Sequence, residues 1–355
     1  MSSLNSIPSL ETDALTSRWR VVTIALLIIF ATVGSSGCTP SDSNNQSNNK
    51  NGNNDEKLTI AVIPKSTGGE FWETVEAGAR QAGDELGVNL KWEGTITETE
   101  IAEQNKIIEN MINLGVDGMA VAPLNDKATS RSVASAVDAD IPVVVFDSSL
   151  AGEKHVAFVA TDNVAGGALG AKHINEKLGG AGKRVLVLRF VQGTASTENR
   201  AKGFIEAVKA AGHQVLADPY PEDGTIAGCK KTASNTLEGF VKGNKLELDA
   251  IFACNLTSAL GMQAALSDLK KSNIDVDVVF VGFDTSPRLL EGLESGDIDA
   301  LVSQDPKKMG YLAVETIVKH LQGESIESMV DTGVELVTQE RVENEPAIRK
   351  LVGKE

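Results

Sequence analysis

From residue 58 onward the chain alternates short, continuously apolar, β-branched runs with longer stretches of helical periodicity, an alternation that few architectures accommodate. The runs 58–63, 118–122 and 142–146 are apolar at successive positions, as strands covered on both faces are. Between them, 71–86 and 101–114 repeat at helical spacing. In the second, Ile101, Ile108, Met111 and Ile112 fall on one side, with Glu103, Lys106, Glu109 and Asn110 largely on the other. Gly87 and Gly115 stand where these helices should stop, because glycine readily takes the left-handed conformation that ends helices. A second series begins near Asp162, with strands expected at 184–188, 214–216, 250–253 and 278–281, a helix at 307–321 and a last strand at 334–337. Two such series predict an α/β protein of two similar Rossmann-like lobes with parallel sheets. The 355 residues, 41% of them apolar, suffice for two cores.

In open parallel sheets ligands bind beyond the carboxyl ends of the strands, so the residues that follow each apolar run are the candidates. Lys65 follows 60–64, Asp147 follows 143–146, and Thr161 and Asp162 follow 158–160. In the second series Asn255 follows 251–254, Asp284 follows 279–283, and Gln304 follows 301–303. Asp and Asn also form ordinary turns, but a set drawn from both sheets is hard to assign to turns alone. Such groups suit vicinal hydroxyls: a carboxylate accepts from two neighbouring O–H groups, while Asn and Gln both donate and accept. Phe71 and Trp72, adjacent at a helix start, offer apolar surface either to the C–H face of a ring or to the core.

Other chemistries find little support. No G-x-S-x-G, H-E-x-x-H or phosphate loop ending in G-K-[ST] occurs. The glycines within 166–170 lie inside a helical run, where small residues favour close helix packing over a dinucleotide loop. His155, His173, His213 and His320 lack ligand spacing, so neither a metal nor another cofactor is expected. A formal charge of -16 without a basic stripe argues against nucleic acid.

Arg18 and Arg20 precede an apolar run, 21–33, of about 13 residues. A bilayer-spanning helix needs roughly 20, so residues 1–37 have the layout of an export signal peptide instead. The stretch Ser35, Ser36, Gly37, Cys38 resembles a bacterial lipobox, with Cys38 the lipid-modified first residue of the mature chain, although Ser35 replaces the usual large aliphatic residue. Residues 39–56, rich in Ser, Asn and Gly, cannot bury enough surface to fold, and 38–57 reads as a disordered tether. Cys229 and Cys254 are left either to pair in an oxidising compartment or to serve as two buried thiols.

Taken in order, Phe71 and Trp72, 143–147, 160–163 with Gly166 and Gly167, 199–204, 251–255, 281–284 and Gln304 resemble the ribose-type periplasmic binding proteins that feed ABC transporters, over about 58–337. The resemblance implies lobes of 58–161 plus 305–333 and 162–304 plus 334–345, joined by hinge crossings near Thr161/Asp162, Gln304/Asp305 and Gly333. It implies an exported, periplasmic, non-enzymatic monomer, held at the membrane through Cys38. Such a protein captures a monosaccharide or sugar-like polyol by hinge closure and delivers it to an inner-membrane ABC permease. Phe71 and Trp72 would sandwich or edge the ring, and Asp147, Asn255, Asp284 and Gln304 would meet its hydroxyls, with Phe283 beside them. Arg200 would supply a fork of donors from the second lobe. Three positions depart from the ribose pattern: Ser148 replaces an arginine, Asp223 aligns with an aromatic, and Lys65 replaces a small polar residue. All three are expected at the site, favouring a polyol, a cyclitol or a differently configured aldose over ribose. The alternative is a ligand-sensing receptor for a membrane signalling partner. A transcription regulator of this fold would need a helix-turn-helix where the export signal stands.

Overall fold

A computed structural model of the protein describes residues 57–152 and 154–354. The expected signal peptide, Cys38 and the tether up to residue 56 lie outside the described residues.

The first series runs β1 (Thr59–Ile63), α1 (Glu70–Leu86), β2 (Asn89–Trp92), α2 (Ile101–Leu114), β3 (Gly118–Val121), α3 (Ser130–Asp138), β4 (Val143–Phe146) and β5 (Ala157–Ala160). The second runs α4 (Asn163–Leu178), β6 (Arg184–Leu188), α5 (Ala195–Ala210), β7 (Gln214–Ala217), α6 (Ile226–Glu238) and a small hairpin of β8 (Val241–Lys242) and β9 (Lys245–Leu246). It continues with β10 (Ala250–Ala253), α7 (Leu256–Lys271), β11 (Val279–Phe283), α8 (Pro287–Ser295) and β12 (Ala300–Ser303). The chain ends with α9 (Pro306–Leu321), β13 (Met329–Asp331), β14 (Glu335–Val337), α10 (Gln339–Asn344) and α11 (Pro346–Leu351).

Two six-stranded sheets result, in the orders β13-β5-β4-β3-β1-β2 and β14-β12-β11-β10-β6-β7. Their pairings are parallel except for β12 with β14. The central strands β3, β4, β10 and β12 are buried at every residue, which is why they read as unbroken apolar runs. Local chemistry fixes the helix ends. Gly87 and Gly115 take φ of 69° and 66° to terminate α1 and α2. Asp162, Asn255, Ser286 and Asp305 accept from the first-turn amides of α4, α7, α8 and α9.

The chain passes between the sheets three times: after β5, after β12, and between β13 and β14. Each lobe therefore receives the helix that follows a strand of the other. Helix α9 packs on β3, β4 and β5, while α4 packs on β11, β12 and β14. The three crossings are tied at Thr161, whose Oγ1 lies 3.1 Å from Gln304 Oε1, 3.0 Å from Thr332 Oγ1 and 3.1 Å from the Gly333 carbonyl.

The exchanged helices dock by glycine contacts. A Cβ on Gly78 of α1 would stand 1.9 Å from the Lys307 carbonyl oxygen, and one on Gly310 of α9 would stand 2.0 Å from that of Val75. In the second lobe, Gly167 of α4 meets the Arg200 carbonyl and Gly203 of α5 meets that of Val164, at 2.0 and 2.1 Å. The close-packing role read for the glycines of 166–170 is what their surroundings impose.

Several elements depart from the sequence expectation. Strand β11 ends at Phe283 rather than 281, because Gly282 and Phe283 pair with Leu301 and Val302 of β12. Strands β2 and β13 were not expected: each sits at a sheet edge and shows only partly buried or exposed residues, so neither carries an apolar run. Cys229 and Cys254 are free and buried rather than paired, and burial pushes both thiols up to about 12. Among the described residues no helix is long and apolar enough to cross a membrane, and no group of three or more His, Cys, Asp or Glu could hold a metal ion.

Candidate ligand-binding site

The carboxyl ends of both sheets face one cavity of about 280 Å³ between the lobes. Lys65 enters it after β1, Glu98 after β2, Asp147 after β4, Asn255 after β10, Asp284 after β11 and Gln304 after β12. Helix α1 brings Phe71 and Trp72, and α5 brings Ser196, Thr197 and Arg200.

Two carboxylates organise the polar surface, and both sit on backbone that L-residues rarely adopt: Asp147 has φ 61° and Asp284 φ 70°. Each backbone N–H donates to the next strand, Asp147 to the Val159 carbonyl at 3.0 Å and Asp284 to that of Val302 at 2.7 Å. The left-handed turn thus closes each strand end in a fixed direction, a local strain held by the sheet.

Around Asp147 the partners are ionic. Lys65 Nζ lies 2.5 Å from Asp147 Oδ2 and donates to Ser148 Oγ at 2.8 Å and to Ser196 Oγ at 3.1 Å. Ser148 Oγ also accepts from the Ser196 N–H at 3.0 Å. Since Ser196 opens α5, this cluster stitches the lobes across the cavity, and Thr194 Oγ1 adds a 3.1 Å donation to the Leu124 carbonyl. Around Asp284 the partners are mostly neutral donors: Gln304 Nε2 at 2.8 Å and the Leu256 N–H at 3.0 Å, with Arg200 Nη1 farther off at 3.8 Å. Arg200 is held by Asn163 Oδ1 at 2.8 Å and the Cys254 carbonyl at 3.2 Å, its guanidinium 3.8 Å from the Phe283 ring centroid. Burial dominates at Asp284, pushing its carboxyl above the usual carboxylate range against the pull of Arg200, Gln304 and Leu256.

The sequence matches the family described as "Periplasmic binding protein domain" over residues 60–325. The chain belongs to that family. Among the proteins it is similar to is the ribose import binding protein of Escherichia coli strain K12, 29% identical over 80% of this chain and 92% of that protein. The D-allose-binding periplasmic protein of the same strain is 31% identical, over 73% of this chain and 83% of its own length. A carbohydrate transporter solute-binding protein from Agrobacterium radiobacter, solved with D-arabinose, superimposes with a TM-score of 0.77 at 31% identity, covering 84% of this chain and 99% of that one.

Within this periplasmic-binding-protein fold, three residues expected at the site stand elsewhere. Asp223 is exposed, and its Oδ1 accepts from the Thr225 N–H at 2.9 Å and from Thr225 Oγ1 at 2.6 Å. It organises the turn into α6, while Gly224, Thr225 and Ile226 form the lining there. Ser148 is fully buried behind the cavity and serves Lys65 and Ser196. Phe283 is likewise buried and supports Arg200 from beneath. Phe71 and Trp72 do line the cavity, but their rings stand at 89°, so they present a corner and cannot sandwich one flat ring. Trp72 also belongs to the core, edge-on to Phe146. Asn255 has its Oδ1 engaged by the Ser258 N–H, which leaves its Nδ2 as the free donor.

Glu98 is the lining residue that the sequence reading passed over. It follows the unexpected edge strand β2, and its Oε1 accepts from Trp72 Nε1 at 2.8 Å. A wider groove of about 1020 Å³ on the hinge side shares Phe71, Asp284 and Gln304 with the cavity. Its other walls are hinge and C-terminal segments such as Lys308, Gly333, Arg341 and Val352, without a comparable convergence of buried charge.

Proposed function

We propose that this protein is the solute receptor of an ABC transporter, capturing a monosaccharide or a sugar-like polyol between its lobes and presenting it to a membrane permease. The observation that carries this reading is the convergence of Asp147 and Asp284, one from each sheet, on a single cavity with Asn255, Gln304 and Arg200. Carboxylates, an amide donor and an amide pair fit the alternating donors and acceptors of vicinal hydroxyls. At about 280 Å³ the cavity lies just below the roughly 300–1,000 Å³ usual for small-molecule sites, which suits one ring rather than two. The names of the ribose- and allose-binding relatives point to the same substrate class.

Closure about the three crossings, at 161/162, 304/305 and 333/334, is the motion this reading requires, with ligand favouring the state in which the lobes meet. No covalent step is involved, and the protein acts as a monomer. Lipidation of Cys38 would hold the receptor beside its permease; Cys38→Ala is expected to move the protein from the membrane fraction to the soluble one. A thermal-shift screen of the purified protein against pentoses, hexoses, polyols and cyclitols tests the main reading, since a bound ligand raises the midpoint by mass action. A panel that produces no shift, followed by calorimetry that finds no binding, rejects it.

A further inference from the structure

The cavity holds more negative charge than the protein itself balances. Its charged lining is Lys65, Glu98, Asp147, Arg200 and Asp284, three carboxylates against two cations. Lys65 is committed to Asp147 at 2.5 Å, with its other contacts on Ser148 and Ser196. Arg200 is committed to Asn163, the Cys254 carbonyl and the Phe283 face. Glu98 is the carboxylate left over. Its one hydrogen bond is the Trp72 indole N–H on Oε1, and no described residue donates to Oε2.

The groups around Glu98 do not supply the missing charge. Burial pushes its carboxyl above the usual carboxylate range; Lys65 and the Trp72 indole pull the other way, while Asp147 and Asp284 push further up. The buried Cys229 thiol on α6, itself raised by burial, adds no cation. A positive group brought to its open Oε2 would find an acceptor that no described residue occupies, and an N⁺–H···O⁻ bond is roughly twice as strong as a neutral one.

We propose that the preferred ligand is an amino sugar or an aminocyclitol, its ammonium against Glu98 and its hydroxyls against Asp147, Asn255, Asp284 and Gln304. The inference rests on the receptor reading above and narrows it. The same surplus of carboxyl groups disfavours sugar acids and sugar phosphates, which would bring a further negative charge against Glu98, Asp147 and Asp284. Where Glu98 holds a proton beforehand, arrival of the ammonium transfers that proton to solvent, so binding releases protons. A neutral sugar leaves it in place.

Titration calorimetry on the full chain tests this with matched pairs: D-glucosamine beside D-glucose, D-galactosamine beside D-galactose, and an amino-deoxy-inositol beside inositol. The amino member is expected to bind at least tenfold more tightly in one or more pairs. For that pair, the apparent enthalpy should change between buffers of different ionisation enthalpy in the sense of proton release. Glu98→Gln, which keeps an acceptor for Trp72, should cut the amino-to-neutral ratio at least tenfold. If that variant does not fold, the pairs on the unaltered protein decide alone. A ratio below tenfold in all pairs, with neutral sugars or polyols still binding, overturns the inference and leaves the receptor reading standing. Failure of every member of the pairs and of the wider panel overturns the receptor reading instead.

Discussion

In the first lobe β4 ends at Phe146 and Asp147 follows; in the second, β11 ends at Phe283 and Asp284 follows, at the same place in the sheet order and with the same left-handed aspartate. The helix crossings match as well, Gly78 with Gly203 and Gly310 with Gly167. On this common scaffold the two aspartates are held differently. Asp147 has an ammonium at 2.5 Å that reaches it from the loop after β1. Asp284 has a guanidinium at 3.8 Å that is already satisfied by Asn163 and Cys254, and it relies on Gln304 and a backbone amide. The phenylalanines diverge accordingly: Phe146 meets the edge of Trp72, whereas Phe283 lies under Arg200. The scaffold sets where a carboxylate points, and the neighbouring residues set how firmly its charge is compensated.

Neutralising each aspartate in turn is the strongest way to break that contrast. Asparagine tolerates positive φ, so Asp147→Asn and Asp284→Asn change charge with little backbone penalty. Asp147→Asn strands the Lys65 ammonium in a buried site and should cost about 3–5 kcal/mol in urea unfolding. Asp284→Asn leaves Arg200 with its other partners and should cost less, about 1–3 kcal/mol. Equal losses would mean that the two pairs are equivalent after all. The glycine crossings, by contrast, should behave alike. Gly78→Ala and Gly203→Ala each drive a methyl into a carbonyl of the partner helix, and each should lose about 1–3 kcal/mol by the same measurement.

For binding, Asp284→Ala or Arg200→Ala should weaken the ligand at least tenfold, about 1.4 kcal/mol by calorimetry, with the fold retained. Affinity within twofold of the unaltered protein would remove the second lobe from the site. The smallest effect concerns pH. The Glu98 carboxyl is raised in the folded protein, so its contribution favours folding below the unfolded-state value near 4.3 and is lost as pH rises through the raised one. Glu98→Gln lacks this loss. Its thermal midpoint relative to the unaltered protein should therefore climb as pH rises from about 4; a flat difference would show that Glu98 ionises freely.

The contrast between central and edge strands also explains what the sequence disclosed. Strands buried on both faces write unbroken apolar runs, and the polar residues that follow them, Asp147, Asn255, Asp284 and Gln304, could be picked out and do line the cavity. β2 alternates exposed and half-buried residues, so it left no run to follow, and Glu98 after it went unseen. Ser148, Asp223 and Phe283, expected at the site, stand outside the cavity lining for another reason. A one-residue step along a strand end, or one hydrogen bond to Thr225, decides whether a side chain faces the cavity or the framework, and periodicity does not encode either.

The exchange of α9 has a consequence for the order in which the molecule can be assembled. Val314, Ile317 and Val318 of that helix cover one face of the first sheet, against Ile60, Ala120 and Val144. During synthesis those strands emerge roughly 160 to 250 residues before their cover does, so the first half of the chain carries a bare apolar face while the second lobe is still being made. The second lobe has its own exchanged helix, α4, at its beginning, and lacks only the edge strand β14 and the helices after it. The half that is made first thus waits longest for its covering helix, and a holding factor or delayed folding would matter most for the residues before α4.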